Sequence, residues 1–199
     1  MRRFSILVLF FFLVGGPVRA AEPQLEPIFN GRDLTGWHAP DKENFWRVED
    51  GILVGESVAE LQESYLWTGE AYGDFILEFD ARWTGEIDSG VQIRMPILQL
   101  QLGTSRSLER DMTGSFYVGR PGYPEAGQAK SAAELMHPEG EWNTFRLEAR
   151  GDTFTVWING RRAARYTNAK FSGAGPISLQ IHGGLKMKIE FRNIRASAL

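Results

Sequence analysis

Asp88-Ser89-Gly90-Val91-Gln92-Ile93-Arg94, then Met95-Pro96, then Ile97-Leu98-Gln99-Leu100-Gln101-Leu102-Gly103, is the stretch whose reading decides the fold. Both halves alternate with period two, the spacing that sends successive side chains to opposite faces of a sheet. Val91, Ile93, Leu98, Leu100 and Leu102 form an apolar face, while Gln92, Arg94, Gln99 and Gln101 form the other. A strand that needed only solubility would more often carry Lys, Glu or Thr there. A row of amides with one guanidinium suits a sheet that lines a sugar cleft, because such planar groups match hydroxyls and stack on pyranose rings. An ordinary solvated sheet face gives the same pattern, and this stretch alone leaves both readings open.

Working outward, the chain begins Met-Arg-Arg, runs apolar from Phe4 to Val14, and reaches Gly15-Gly16-Pro17-Val18-Arg19-Ala20-Ala21. A basic start, a short apolar run and small residues at Val18 and Ala20 predict a cleaved secretory signal over residues 1–20. The mature chain then starts near Ala21, secreted or periplasmic. The apolar run is short for a membrane span and nothing after it is apolar enough, so no stable membrane insertion is expected once the signal is cleaved. Cysteine is absent, which excludes disulfides and attachment of lipid at a cysteine. Taking Arg2, Arg3 and Arg19 from the 22 basic residues leaves 19 against 25 acidic ones, a net charge of −6. An acidic chain without a Lys/Arg tract argues against nucleic acid and anionic membranes as partners. Residues 21–199, about 180 residues, are the size of one domain.

Further patterns repeat the opening one. Phe45 to Gly55 reads as a hairpin around Asp50-Gly51, and Leu66-Trp67-Thr68 as a short strand. Phe75 to Trp83 alternates cleanly, as does Phe116-Tyr117-Val118. A Gly/Pro-rich loop from Arg120 to Glu125 leads into a short helix expected over Ala129–Met136. Trp142–Arg150 and Thr153–Ile158 pair around Gly151-Asp152, Asn159-Gly160 starts another turn, and Ile177–Gly184 and Met187–Ile194 complete the strands. The expectation is an all-β, two-sheet antiparallel jelly-roll sandwich, built from about a dozen short strands. No nucleotide loop, zinc-spaced cluster or nucleophile elbow is present.

Phe29-Asn30-Gly31-Arg32-Asp33-Leu34-Thr35-Gly36-Trp37 resembles the opening of the 3-keto-disaccharide hydrolase domain. In the family's order follow Trp46–Gly51, Tyr72–Phe75, Asp88–Arg94, Trp142-Asn143, Ile158–Gly160, Gly175–His182 and Phe191–Ile194. The resemblance implies a concanavalin-like jelly roll whose concave sheet binds sugar, a carbohydrate partner, and action on glycosides already oxidised to a ketone at C3. There a base removes the C2 proton, the C1 oxygen departs, donors hold the enolate at the C3 oxygen, and water adds back. A divalent cation is one way to supply the Lewis acid, and the sequence does not decide whether one is needed.

Carried onto this chain, the resemblance makes Arg94 the candidate for holding the enolate and His182 the candidate base or acid, since its side chain titrates near neutrality. Gln92, Gln99, Gln101, Tyr117, Gln180 and Arg192 are the candidate substrate contacts. Asp88 is read as a turn residue, a partner of Arg94 or a cation ligand; His38 and His137 are read as surface residues. Many members carry glutamate where this chain has Gln99, and an aspartate near Gly103. Glutamine cannot exchange a proton at neutral pH, and the paired carboxylates of a glucanase are missing from this strand. Catalysis would then rest on His182 and loop acids such as Glu109, Asp111 or Glu125. The alternative is a non-catalytic carbohydrate-binding module, and a third reading is an interaction domain whose amide face is covered.

Overall fold

A computed structural model describes residues 23–39, 43–58 and 62–199. The expected signal sequence lies outside the described residues. In chain order the strands are β1 (Glu26–Pro27), β2 (Trp37–His38), β3 (Trp46–Glu49), β4 (Ile52–Glu56), β5 (Ser64–Tyr72), β6 (Phe75–Trp83), β7 (Asp88–Ile93) and β8 (Leu98–Ser105). They continue with β9 (Arg110–Asp111), β10 (Phe116–Tyr117), β11 (Asn143–Arg150), β12 (Thr153–Ile158), β13 (Arg161–Thr167), β14 (Gly175–Ile181) and β15 (Lys188–Ala198). One 8-stranded sheet runs β13-β12-β11-β6-β15-β4-β3 with β1 beside β15. A 7-stranded sheet runs β10-β8-β7-β14-β5-β2 with β9 beside β8. All the pairings are antiparallel, and the two-sheet sandwich expected from the alternation is the architecture observed.

The core lies between the sheets and is made by the apolar halves of the alternating strands. Val91, Ile93, Leu98, Leu100 and Leu102 point inward from the 7-stranded sheet. Phe75, Leu77, Phe79 and Ala81 of β6 face them with Phe145, Leu147 and Ala149 of β11. Phe79 and Phe145 stack with centroids 5.3 Å apart. Each of the valine, leucine, isoleucine and phenylalanine side chains contributes about 1.5–3 kcal/mol through removal from water. Asp50-Gly51 turns the β3–β4 hairpin with both residues at positive φ (48° and 81°), the primed geometry that matches the twist of paired strands.

Two expectations needed adjustment. The helix occupies only Ala132–Leu135, since Ser131 and Met136 have non-helical backbone and Leu135 alone is buried. So small an apolar face cannot stabilise a longer helix. The strand expected at Leu66–Thr68 is the nine-residue β5, held along its length by β14. Thr68, Gly69 and Glu70 hide its apolar period in the sequence.

Candidate functional site

The outward side chains of the 7-stranded sheet line a cleft of about 270 Å³. Register places them in two rows. Tyr117 lies opposite Gln99, Gln99 opposite Gln92, and Gln92 opposite Ser178. Beside them, Gln101 lies opposite Gly90, Gly90 opposite Gln180, and Gln180 opposite Tyr65. Gly90 stands at the centre of the second row because Gln99 lies across it. A Cβ at residue 90 would sit 2.5 Å from Gln99 Nε2 and 2.6 Å from two of its carbons.

Lying over Gly90, Gln99 becomes the hub of a branched hydrogen-bond network. Ser178 Oγ donates to Gln92 Oε1 (3.2 Å), and Gln92 Nε2 donates to Gln99 Oε1 (3.0 Å). Gln99 Nε2 then donates both to Gln101 Oε1 (2.9 Å) and to Gln180 Oε1 (3.0 Å). One branch ends where Gln101 Nε2 donates to Asp88 Oδ1 (2.8 Å). The other ends where Gln180 Nε2 donates to the Tyr65 hydroxyl (3.2 Å), which donates to Glu63 Oε2 (3.1 Å). An ionised carboxylate only accepts, so Asp88 and Glu63 set the direction of every amide between them. The four glutamine side chains are buried yet satisfied, as buried polar groups must be.

His182 follows the end of β14 at one side of this cleft. Its Nδ1 lies 2.7 Å from the Gly183 carbonyl oxygen, which can only accept. The neutral ring therefore carries its proton on Nδ1 and its lone pair on Nε2. Asp88 Oδ2 is 4.0 Å from that Nε2 and also accepts from the Arg106 backbone N–H (3.1 Å). Tyr117 and Tyr123 approach each other with ring centroids 5.1 Å apart. Burial pushes the Tyr123 hydroxyl up to about 12 and raises that of Tyr65 as well, so both remain hydrogen-bonding phenols at neutral pH.

Gln92, Gln99, Gln101, Tyr117, Gln180 and His182 are thus brought together. The two arginines are not. β7 ends at Ile93, and Arg94 takes a left-handed φ of 67°, which breaks the alternation that would have aimed it into the cleft. Its buried guanidinium instead donates to Asp74 Oδ1 (2.9 Å) and the Gly151 carbonyl (3.1 Å), and packs over Phe154. Arg94 ties loops together, so the expected enolate-holding cation is absent from the cleft lining. Arg192 belongs to the other sheet. There it donates to Asp80 Oδ2 (3.1 Å) and lies 4.2 Å over Trp142. Asp88 partners the His182 end of the cleft rather than Arg94. Glu109, Asp111 and Glu125 lie outside the cleft lining, and His38 and His137 are exposed.

Sequence reasoning missed Tyr65, Glu63, Tyr123, Ser105 and Ser107, all of which line the cleft. Tyr65 was detectable: with Ser64, Leu66 and Thr68 buried, period two turns it outward. Tyr123 and Ser107 come from connections, where no period exists to read, and Ser105 is the last residue of β8. Asp88 and His182 are the pair best placed to share a cation. Among the described residues no group of three or more His, Asp or Glu side chains gathers in a metal-binding arrangement.

A family model for the 3-keto-alpha-glucoside-1,2-lyase-like domain matches residues 24–197. The chain belongs to that family. It is a carbohydrate-active jelly-roll domain of this type. A search of curated protein sequences returned no match. Among solved structures, a glycosyl hydrolase-like protein from Parabacteroides distasonis aligns with TM-score 0.69 at 20% identity, over 89% of this chain and 100% of that one. A β-glucanase from Bacillus licheniformis aligns with TM-score 0.61 at 14% identity, over 91% and 100%. The carbohydrate-binding module CBM66 from Bacillus subtilis aligns with TM-score 0.58 at 14% identity, over 82% and 96%. At these identities the likeness shows the fold, which hydrolases and binding modules share.

Proposed function

We propose that this protein is a secreted enzyme that cleaves 3-keto-glycosides in the amide-lined cleft. The observation that carries this reading is His182, its lone pair on Nε2 and Asp88 beside it, on the wall of an amide-lined hydrogen-bonding cleft in a chain of this family. His182 Nε2 takes the C2 proton, which the C3 ketone makes acidic, and the Asp88 carboxylate stabilises the imidazolium formed. Electrons from the C2–H bond pass to the C3 oxygen as an enolate. With Arg94 and Arg192 elsewhere and Tyr65 donating to Glu63, the Tyr117 and Tyr123 hydroxyls are the tyrosine donors left for that oxygen, and Tyr123, kept protonated by burial, suits the task. The enolate collapses, the C1–O bond breaks, and the departing oxygen takes a proton. Water then adds across the C1–C2 double bond, OH to C1 and H to C2, for net hydrolysis.

One observation favours a second reading, a non-catalytic sugar-binding module. Gln99 replaces the glutamate that many members carry, and as a double donor at the centre of the network it is committed to hydrogen bonding rather than proton transfer. The discriminating experiment incubates the purified protein with a panel of 3-keto-glucosides and follows aglycone release by chromatography, with and without divalent cations. The enzyme reading expects turnover, reduced by about 100-fold or more in His182→Ala, the usual scale for loss of a general base. Binding of the same compounds without turnover in the parent protein establishes the module instead.

A further inference from the structure

A second hollow of about 300 Å³ lies where the β6 end of one sheet meets the segment after β9 beside the other, and it shares no lining residue with the amide cleft. Trp83, the half-buried last residue of β6, forms part of its wall together with Met136, Asp111 and His137. Trp83 also lines a neighbouring hollow of about 230 Å³ with Arg82, Thr84, Lys188 and Glu190, and Trp83 and Gly140 are common to the two recesses. We propose that Trp83 is the platform of a second, independent sugar-binding subsite, which takes an uncharged pyranose ring.

Three features support this. First, the wall is preorganised. The Gly140 N–H donates to the Trp83 carbonyl (3.0 Å), and Glu139 accepts from the Gly85 N–H. Buried Asn143 accepts from the His137 N–H (2.7 Å) and donates to the Glu141 carbonyl (3.1 Å). The loop from His137 to Asn143 is thereby pinned to the strand end that carries Trp83, and a ligand would meet little ordering cost. Second, the chemistry suits a sugar: Trp83 and Met136 offer apolar surface to a ring face, and Asp111 and His137 in the same lining offer polar groups to ring hydroxyls. Third, Asp111, Glu139 and Glu141 line the hollow without Lys or Arg among the described lining residues, which disfavours uronic or sulfated sugars.

The test is a titration of ¹⁵N-labelled protein with cellobiose and with maltose, followed by two-dimensional NMR. The Trp83 indole signal is assigned by its loss in Trp83→Phe, and the cleft is reported by Gln180 and Gln99 side-chain amides. The expected result is a saturable shift of the Trp83 indole and of the Gly85 and Gly140 amides with at least one disaccharide. Affinity read at the Gly85 and Gly140 amides should fall about tenfold or more in Trp83→Ala and less in Trp83→Phe. Gln180→Ala should leave it unchanged, whatever that change does in the cleft. The absence of a saturable shift at Trp83 in the parent protein, or a saturable shift of the Gly85 and Gly140 amides with unchanged affinity in a Trp83→Ala protein of parental melting temperature, would overturn the proposal. Cleft signals that respond alone would also overturn it while leaving the cleft reading intact.

Discussion

The outer faces of the two sheets solve the same problem with opposite chemistry. On the 8-stranded sheet the outward groups are charges that answer one another across strands. Glu78 pairs with Arg146 (3.4 Å) and Arg195 (2.5 Å), Asp80 with Arg192 (3.1 Å), and Glu190 with Arg82 (2.5 Å) and, within β15, with Lys188 (3.2 Å). On the 7-stranded sheet the outward groups are neutral amides and hydroxyls, with carboxylates only at the two ends of the network. Charges on an open face are screened and individually weak. Amides buried together are directional, and each depends on the next. The charged face can lose a member with little effect elsewhere, whereas the amide face acts as a unit. The proposed recognition of a neutral polyhydroxylated ligand in this cleft needs that second property.

The largest expected effect comes from filling the gap that lets the amide face close. Gly90→Val would place carbon where Gln99 now lies and displace the hub. Overpacking together with several broken buried hydrogen bonds should cost about 3 kcal/mol or more, read by urea denaturation, and sugar binding in the cleft should be lost. If Gly90→Val proves neutral, the network is not a cooperative unit. Next comes Gln99→Glu, the change toward many family members. A carboxylate there cannot donate to Gln101 and Gln180, and it adds charge near Asp88 and Glu63. Burial and like charge raise the folded-state pKa of the new carboxyl. A group with a raised folded pKa stabilises below its unfolded value and loses that contribution as pH rises. The variant should therefore lose about 2 kcal/mol at neutral pH and recover much of it near pH 4, within the range for a broken buried hydrogen bond. A deficit independent of pH would argue that both amides turn over to accommodate the new residue.

How much of this was legible beforehand follows from where each residue sits. Strand interiors were readable, since burial on one side imposes period two, and Gln92, Gln99, Gln101 and Gln180 fell where alternation put them. Strand ends were not. Arg94 is one residue past β7, and a single left-handed φ redirected it to Asp74. Hydrogen bonding to Arg94 and to the Gly151 N–H holds the Asp74 carboxyl below its usual range. Arg192 sits inside a strand, but no local signal says which sheet β15 joins. That is decided by its pairing with β6 more than a hundred residues away in sequence. Tyr123 and Ser107 come from connections, where only the folded backbone determines direction.

The smallest expected effect lies on the charged face and sharpens the contrast. Arg192 is partly exposed, bonded to Asp80, and shares the Trp142 ring with Arg82, 4.5 Å from it. Asp80 would keep its bonds from Thr144 Oγ1 (2.7 Å) and Asn193 Nδ2 (2.8 Å) after Arg192→Ala, so no buried charge is left stranded. Exposed ion pairs and cation–π contacts are each worth a fraction of a kilocalorie to about 1 kcal/mol, so Arg192→Ala should cost about 0.5–1 kcal/mol. Half-molar salt should shrink that cost further by screening, while it leaves the cost of Gly90→Val unchanged. The proposed glycoside turnover should stay at the parental rate, because Arg192 lies on the sheet opposite the cleft. A loss of turnover in Arg192→Ala with stability preserved would mean that the charged face, too, takes part in recognition, and the division of labour between the sheets would fail.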